Sequence, residues 1–268
     1  MKHIIHFLKK IVLFVLKEIS SFFIKLLLSL ALLALVIGSL ISYISKENTS
    51  EIKQGSYVLL RASSPLSEHI PIPDPLSLKE KHMTFFEVLY ALDSIRQDPR
   101  IKGVLLNADF LSWNKAQVEE IGTKLQKLQE EGKDLIVTLQ EANRANYFLA
   151  SYAQKIVMPP IHAASSNISP YHYEELYWKS LLDRFGITMN VIPIGDYKSY
   201  MENYSHSHMS PEFRENMKRL LEHTYQYSLH LMAENRKINK NDLESWIENG
   251  ELMGSSFHTL FEKGLVSK

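Results

Sequence analysis

The sequence predicts an α/β protein carried on one N-terminal membrane helix, and three observations lead there. Nineteen residues without a charge run from Leu26 to Ile44, close to the ~20 that cross a bilayer as a helix. Past a proline-rich loop, helical and strand periodicities alternate to the C-terminus, the pattern of parallel β units with both sheet faces covered. The composition is also that of an ordinary core: 45% hydrophobic, with ten Pro and ten Gly in 268 residues, which excludes a long disordered or collagen-like chain.

The apolar run is preceded by Lys2, Lys9, Lys10, Lys17 and Lys25 against Glu18 alone, which places the N-terminus in the cytoplasm and everything past about Ser45 outside it. Lys25 is free to snorkel, so the span is allowed to begin at Phe22 or Phe23. A cleaved signal peptide fits less well, because Ser-Lys-Glu-Asn-Thr-Ser after Ile44 offers no small-residue cleavage site. The Lys-punctuated stretch from Ile4 to Phe23 reads as lying along the inner membrane surface. The expected organisation is thus an anchor over 1–44 and one extracytoplasmic domain over 45–268.

Charge and cysteine content narrow the function. The 30 basic and 30 acidic residues cancel, unlike a nucleic-acid binder. Removing five lysines and one glutamate with residues 1–44 leaves 25 against 29, so the tethered domain is mildly acidic. Zero cysteines exclude disulfides, a cysteine nucleophile and thiolate metal sites.

Each element has its own signal. Ser63–Ser77, with Pro65, Pro71, Pro73 and Pro75, reads as a loop. Thr84 and Glu87 form a capping box, and Phe85, Val88, Leu89, Leu92 and Ile95 recur at helical spacing until Pro99. Ile101–Ala108 reads as a buried strand. Val118, Ile121, Leu125 and Leu128 mark a helix ended by Gly132, and Leu135–Leu139 is the next strand. A short helix over Ala145–Ala153, a strand over Lys155–Met158, a helix from Tyr173 to Phe185 and a strand from Thr188 to Ile194 follow. Ser210-Pro211 then opens the longest helix of the domain, to about Arg236. Short helices over Leu243–Glu248 and Phe257–Glu262 finish the chain.

Motif scans for a nucleophile elbow, a P-loop, H-E-x-x-H and G-x-G-x-x-G are empty. His206 and His208 stand two apart but read as polar loop residues. Tyr171, Tyr173, Tyr177 and Trp178 read as core and groove lining, and Arg214, Lys218 and Arg219 as a solvated face. The segment that stands out is Ile194-Gly195-Asp196-Tyr197-Lys198-Ser199, which sets a lysine after a glycine turn at the end of an expected strand, where open α/β sheets build their sites. For Lys198 to act as a general base its pKa must fall from about 10.4 towards 7, a cost of roughly 4.6 kcal/mol that desolvation ordinarily supplies. Tyr197, Tyr200, Met201 and Tyr204 are the walls expected to do so.

An ordered series of segments carries a resemblance: IKGVLLNADF at 101–110, ANYFLASYAQKIVMPP at 145–160, YWKSLLDRFGI at 177–187, IGDYKSYMENY at 194–204, and Met-Ser-Pro at 209–211. From the anchor onward the chain resembles the signal peptide peptidase A (protease IV) family, specifically the N-terminal half of its long, duplicated form. The resemblance implies a crotonase/Clp-protease-like parallel β-α spiral, hydrolysis of peptides including released signal peptides, a Ser nucleophile with a Lys general base, no cofactor, and oligomers with the sites inside. Lys198 falls on the general-base lysine of the G-x-Y-K-S motif. The nucleophile does not carry over: its position is Arg144, Ser151 falls on family scaffold, and the family's glycine pair is missing from Asn107–Asn114. In the long form the first half supplies Lys and the second supplies Ser, and this chain stops about where the first half ends. Two readings follow: the Lys-donating half of an inner-membrane Ser/Lys peptidase that needs a Ser-bearing second half or homologue, and a non-catalytic anchored relic or assembly partner of the same fold.

Overall fold

The computed structural model describes residues 2–47, 52–69, 83–160, 166–192 and 194–267, and divides into two compact units, Met1–Ile52 and Lys53–Lys268. The first is built on one uninterrupted helix, α1 (Lys2–Glu47). The stretches read separately as surface-lying and membrane-spanning belong to this single element. Its apolar portion is long enough to cross a membrane over Leu16–Leu40, with a mean hydropathy of 2.5. This stretch begins ten residues before Leu26 and takes in Lys17, Glu18 and Lys25.

The second unit begins with β1 (Ser56–Arg61), which the alternation reading did not foresee. Of the expected proline loop, Pro65 lies in coil, while Pro71, Pro73 and Pro75 fall outside the described residues. Next come α2 (Phe85–Gln97), β2 (Ile101–Asn107), α3 (Lys115–Glu130) and β3 (Asp134–Thr138). The capping box of α2 is present in full: Thr84 Oγ1 accepts from the Glu87 N–H, and the Glu87 carboxylate accepts from the Thr84 N–H. Asn114 and Gln117 cap α3 in the same reciprocal way. The apolar stripes of both helices face the sheet and are buried. Gly122 on α3 is a close-approach residue, since a Cβ there would meet the Tyr152 ring at 2.6 Å.

Then follow β4 (Ala142–Asn143), α4 (Arg144–Ser151), β5 (Lys155–Val157) and β6 (Ser166–Asn167). β1, β2, β3 and β5 form one parallel sheet in that order. β4 and β6 pair in parallel and, with a later strand, make a small second sheet. α4 is held inside the fold by Tyr147, whose ring is buried and whose hydroxyl donates to Leu265 O at 2.8 Å. Desolvation pushes that phenol's pKa up.

The remaining elements are α5 (Lys179–Arg184), α6 (Glu202–Ser205), α7 (Pro211–Arg236), α8 (Lys240–Glu248), β7 (Met253–Ser255) and α9 (Phe257–Glu262). Ser210 caps α7 through its side chain, with Pro211 at the first helical position. Lys237, in the left-handed conformation, ends it.

Two expectations fail here. The helix expected over 173–185 is formed only as α5. The aromatic residues before it pack one by one onto the long helix, Tyr171 against Tyr225 and Tyr173 against Phe213, with ring centroids 6.1 and 5.7 Å apart. The strand expected over 188–194 is not a strand: its described residues are irregular and outward-facing. β-propensity describes how well a residue fits a pleated, half-buried surface, and no neighbouring strand of this chain is paired there among the described residues.

Candidate active site

Lys198 sits in a short knot of chain between α5 and α7. Gly195, at φ 99°, makes the turn that returns the Lys198 N–H to Gly195 O at 3.1 Å. Met201, left-handed at φ 65°, then directs the chain into α6. The Glu202 N–H donates to Ser199 O at 3.0 Å, and the Trp178 N–H donates to Asn203 O at 2.7 Å, fastening the knot to α5. Two side-chain contacts fasten it to α7. The Tyr197 hydroxyl donates to Glu215 at 3.0 Å, and Glu202 accepts from the Ser210 N–H at 2.6 Å and from the Ser210 hydroxyl at 2.9 Å. The Glu215 carboxylate raises the Tyr197 pKa by stabilising the protonated phenol.

A cleft of about 340 Å³ opens on this knot, lined by Lys198 together with Asp196, Tyr200, Glu202, Ser205, His206, Ser210 and Glu212. Among the described residues the Lys198 ammonium has no hydrogen-bond or ion-pair partner. Lys102, Lys124, Lys179 and Lys263 are each paired with a carboxylate, whereas Lys155, Lys218 and Lys237 share the unpaired state of Lys198 among the described residues. Among the described residues the expected walls do not enclose it: Lys198, Tyr197 and Tyr200 are exposed, and Met201 and Tyr204 are half-buried. A second cavity, about 410 Å³, is lined by Tyr171, Tyr173, Met209, Met217 and Tyr225. Burial, with the carboxylates of Glu248, Glu244 and Glu222, pushes the Tyr225 pKa up to about 12.

The other sequence candidates resolve as follows. The Ser205 hydroxyl lies 3.0 Å from His206 Nδ1 and the Ser207 hydroxyl 3.1 Å from His208 Nδ1, so each imidazole is engaged by the serine before it. Among the described residues no group of three His, Asp or Glu is arranged to hold a metal ion. Arg144, first residue of α4, turns its guanidinium back to donate to Ser169 O and Pro170 O at 3.2 and 2.7 Å. It also lies 4.0 Å from the Tyr171 ring centroid. Ser151 is fully buried and donates to Phe148 O at 2.8 Å, which suits scaffold and not attack.

In Asn107–Asn114 the turn is held by side chains in place of glycines. Asp109, buried, accepts from the Gln140 N–H at 2.7 Å, and Asn107 accepts from the Asp109 N–H at 3.0 Å. Phe110 takes φ 54°. One Ser–Lys contact escaped the sequence reading, Lys115 to Ser228 at 2.9 Å. Ser228 is buried and spends its proton on Thr224 O at 2.9 Å, so it is a packing contact without nucleophilic use. Nothing in the spacing of residues 115 and 228 signals it.

Known proteins carry the same pattern. The sequence pattern of the family described as Peptidase family S49 matches residues 127–265, from α3 through the Lys198 knot to the C-terminal helices. Protease 4 of Haemophilus influenzae is 28% identical over 206 residues, covering 75% of this chain and 32% of that protein. Protease 4 of Salmonella typhi is 28% identical over 161 residues, covering 60% and 26%. The chloroplastic serine protease SPPA of Arabidopsis thaliana is 25% identical over 217 residues, covering 80% and 30%. The chain thus spans about a quarter to a third of the length of these relatives. With more than half of its residues inside the family pattern, the chain belongs to peptidase family S49, the signal peptide peptidase A (protease IV) family.

Proposed function

We propose that this chain is the lysine-bearing half of a membrane-anchored Ser/Lys peptidase that degrades released signal peptides and similar apolar peptides. The observation that carries this is the Lys198 ammonium, unpaired among the described residues, on a turn held against α7 and facing a cleft. In the proposed reaction a serine hydroxyl from a second S49 half attacks the substrate carbonyl while Lys198 takes its proton. As the C–N bond breaks, Lys198 returns that proton to the leaving amine, and water then releases the acyl group with Lys198 again as base.

The base must be neutral to begin, and this chain leaves it exposed. The partner half therefore supplies the desolvation as well as the nucleophile. The apolar side chains around the knot support such a partner: Phe185, Ile192, Ile194 and Tyr200 are 73, 89, 88 and 85% exposed. The stepwise parallel order β1-β2-β3-β5 supports the crotonase-like spiral. The apolar portion of α1 supports anchoring in a bacterial inner membrane with the lysine-bearing domain outside the cytoplasm. No cofactor enters the scheme.

The second reading is a non-catalytic assembly partner: the resemblance puts Arg144 where short-form relatives would carry the nucleophile, and its guanidinium is tied to Pro170 O and the Tyr171 ring, an arrangement that both readings allow. One experiment separates the two. The full chain in detergent, alone and mixed with a Ser-bearing S49 half, is assayed on a fluorogenic leucine-rich peptide. Cleavage only in the mixture, abolished by Lys198→Ala, is the expected result; cleavage surviving Lys198→Ala overturns the Lys-base assignment, and none in either sample leaves the assembly role.

A further inference from the structure

Of the acidic side chains lining the cleft, Asp196, Glu202 and Glu212, Glu202 is the buried one, 7% exposed. Both carboxylate oxygens are spent on one residue. Oε1 accepts from the Ser210 N–H at 2.6 Å and Oε2 from the Ser210 hydroxyl at 2.9 Å. Ser210 in turn caps α7, accepting from the Phe213 N–H at 3.2 Å. A buried carboxylate with two donors at the positive end of a 26-residue helix is well compensated.

Its placement in the chain matters more than its stability. Lys198 lies between two tethers to α7, Tyr197 to Glu215 before it and Glu202 to Ser210 after it. The first is exposed, the second half-buried and bidentate. Between Gly195 and Glu202 the remaining bonds are local backbone turns, which fix shape but not location, and the bond one residue on, from the Trp178 N–H to Asn203 O at 2.7 Å, ties the knot to α5 and not to α7.

We propose that Glu202 is a positioning residue: its grip on Ser210 sets the location of the Lys198 turn relative to α7. The proposal rests on the reading of Lys198 as the base for its purpose, but not for its test.

The absence of cysteine from the chain makes the test direct. Spin labels at Lys198→Cys and His223→Cys, the latter exposed on α7, report their separation by double electron–electron resonance on the full chain in detergent. With Glu202 in place a single narrow distance peak is expected. Glu202→Ala should make it about twofold broader, as a locally released segment would, and Glu202→Gln, which keeps an acceptor for the Ser210 N–H, should restore it. A control pair, Lys127→Cys with Lys155→Cys, should hold its distance throughout. If Glu202→Ala does not fold, Ser210→Ala decides, because it removes one of the two donors and should broaden the peak by itself. A peak that stays narrow in whichever of these variants folds, or one that Glu202→Gln fails to restore, overturns the proposal. The measurement contains no Lys198 amine, so failure of the base assignment in the peptidase assay leaves it untouched.

Discussion

Arg144 begins α4, and its side chain works backwards as a clasp. Two carbonyls, Ser169 O and Pro170 O, and the face of Tyr171 share one guanidinium. Arg144→Ala should therefore lower unfolding free energy by about 1–3 kcal/mol, the worth of charge-assisted hydrogen bonds plus a stacked cation; a urea midpoint equal to wild type would refute the clasp. Lys237 makes the opposite case. It is exposed, sits at φ 56° and closes α7 with its N–H on Ala233 O and Glu234 O. Lys237→Gly should raise stability by about 0.5–1 kcal/mol, because glycine occupies that region without the Cβ penalty, and thermal melting checks the sign. At this scale the site was partly legible. Gly195 and Lys198 are local, a turn and its charge three residues apart, so the sequence displays them. The ties Arg144 to Pro170 and Glu202 to Ser210 span 26 and 8 residues, and they depend on how β4 meets β6 and how the knot meets α7, which no spacing encodes.

Elements were legible wherever a helix or strand answers to its own periodicity. α2, α3 and α7 carry their caps and apolar stripes in contiguous sequence, and all three form where expected. Segments whose partners lie elsewhere carry no such signal: β1 has none, the helical spacing over 173–185 overstates α5, and the β-prone residues 188–194 form no strand among the described residues. The close packing of α3 gives a test of the same logic. Alanine is the better helix former by about 1 kcal/mol, yet Gly122→Ala would set a methyl 2.6 Å from the Tyr152 ring. Overpacking costs about 1–3 kcal/mol, so the variant should be less stable despite its propensity, as denaturant unfolding would reveal. At the end of α2, Asp98 accepts from the Arg100 guanidinium and backbone N–H, which hold its carboxyl down to about 2. A depressed acid contributes stability above its unfolded value of about 3.9 and loses it as pH falls through the folded one. Asp98→Asn should thus melt lower than wild type near neutral pH, with the gap closing between about pH 4 and pH 2; a gap unchanged in acid contradicts the pairing.

At the scale of the molecule, the second unit joins a well-buried sheet core to a peripheral arm that buries little of its own apolar surface. Leu106, Ile121, Val137 and Leu149 are sealed from solvent, whereas Leu176, Phe185, Ile192, Ile194 and Tyr200 stand out along one continuous stretch of sequence. Single exposed apolar residues are ordinary, but a run of them is the kind of patch that the proposed Ser-bearing half would cover. The same stretch is where the expected strand does not form among the described residues, and in the proposed complex the Ser-bearing half would supply both a pairing edge and an apolar cover. Two substitutions separate this from mere surface roughness. In the isolated chain Ile192→Lys and Ile194→Lys bury nothing, so each should leave stability within about 0.5 kcal/mol of wild type. Mixed with the Ser-bearing half, the same variants should fail to co-elute in size-exclusion chromatography with light scattering and should lose cleavage of the leucine-rich peptide, although Lys198 is intact. Co-elution and turnover at the wild-type level would show that the arm is not the joining surface, and the desolvation required at Lys198 would then have to come from another face of the partner.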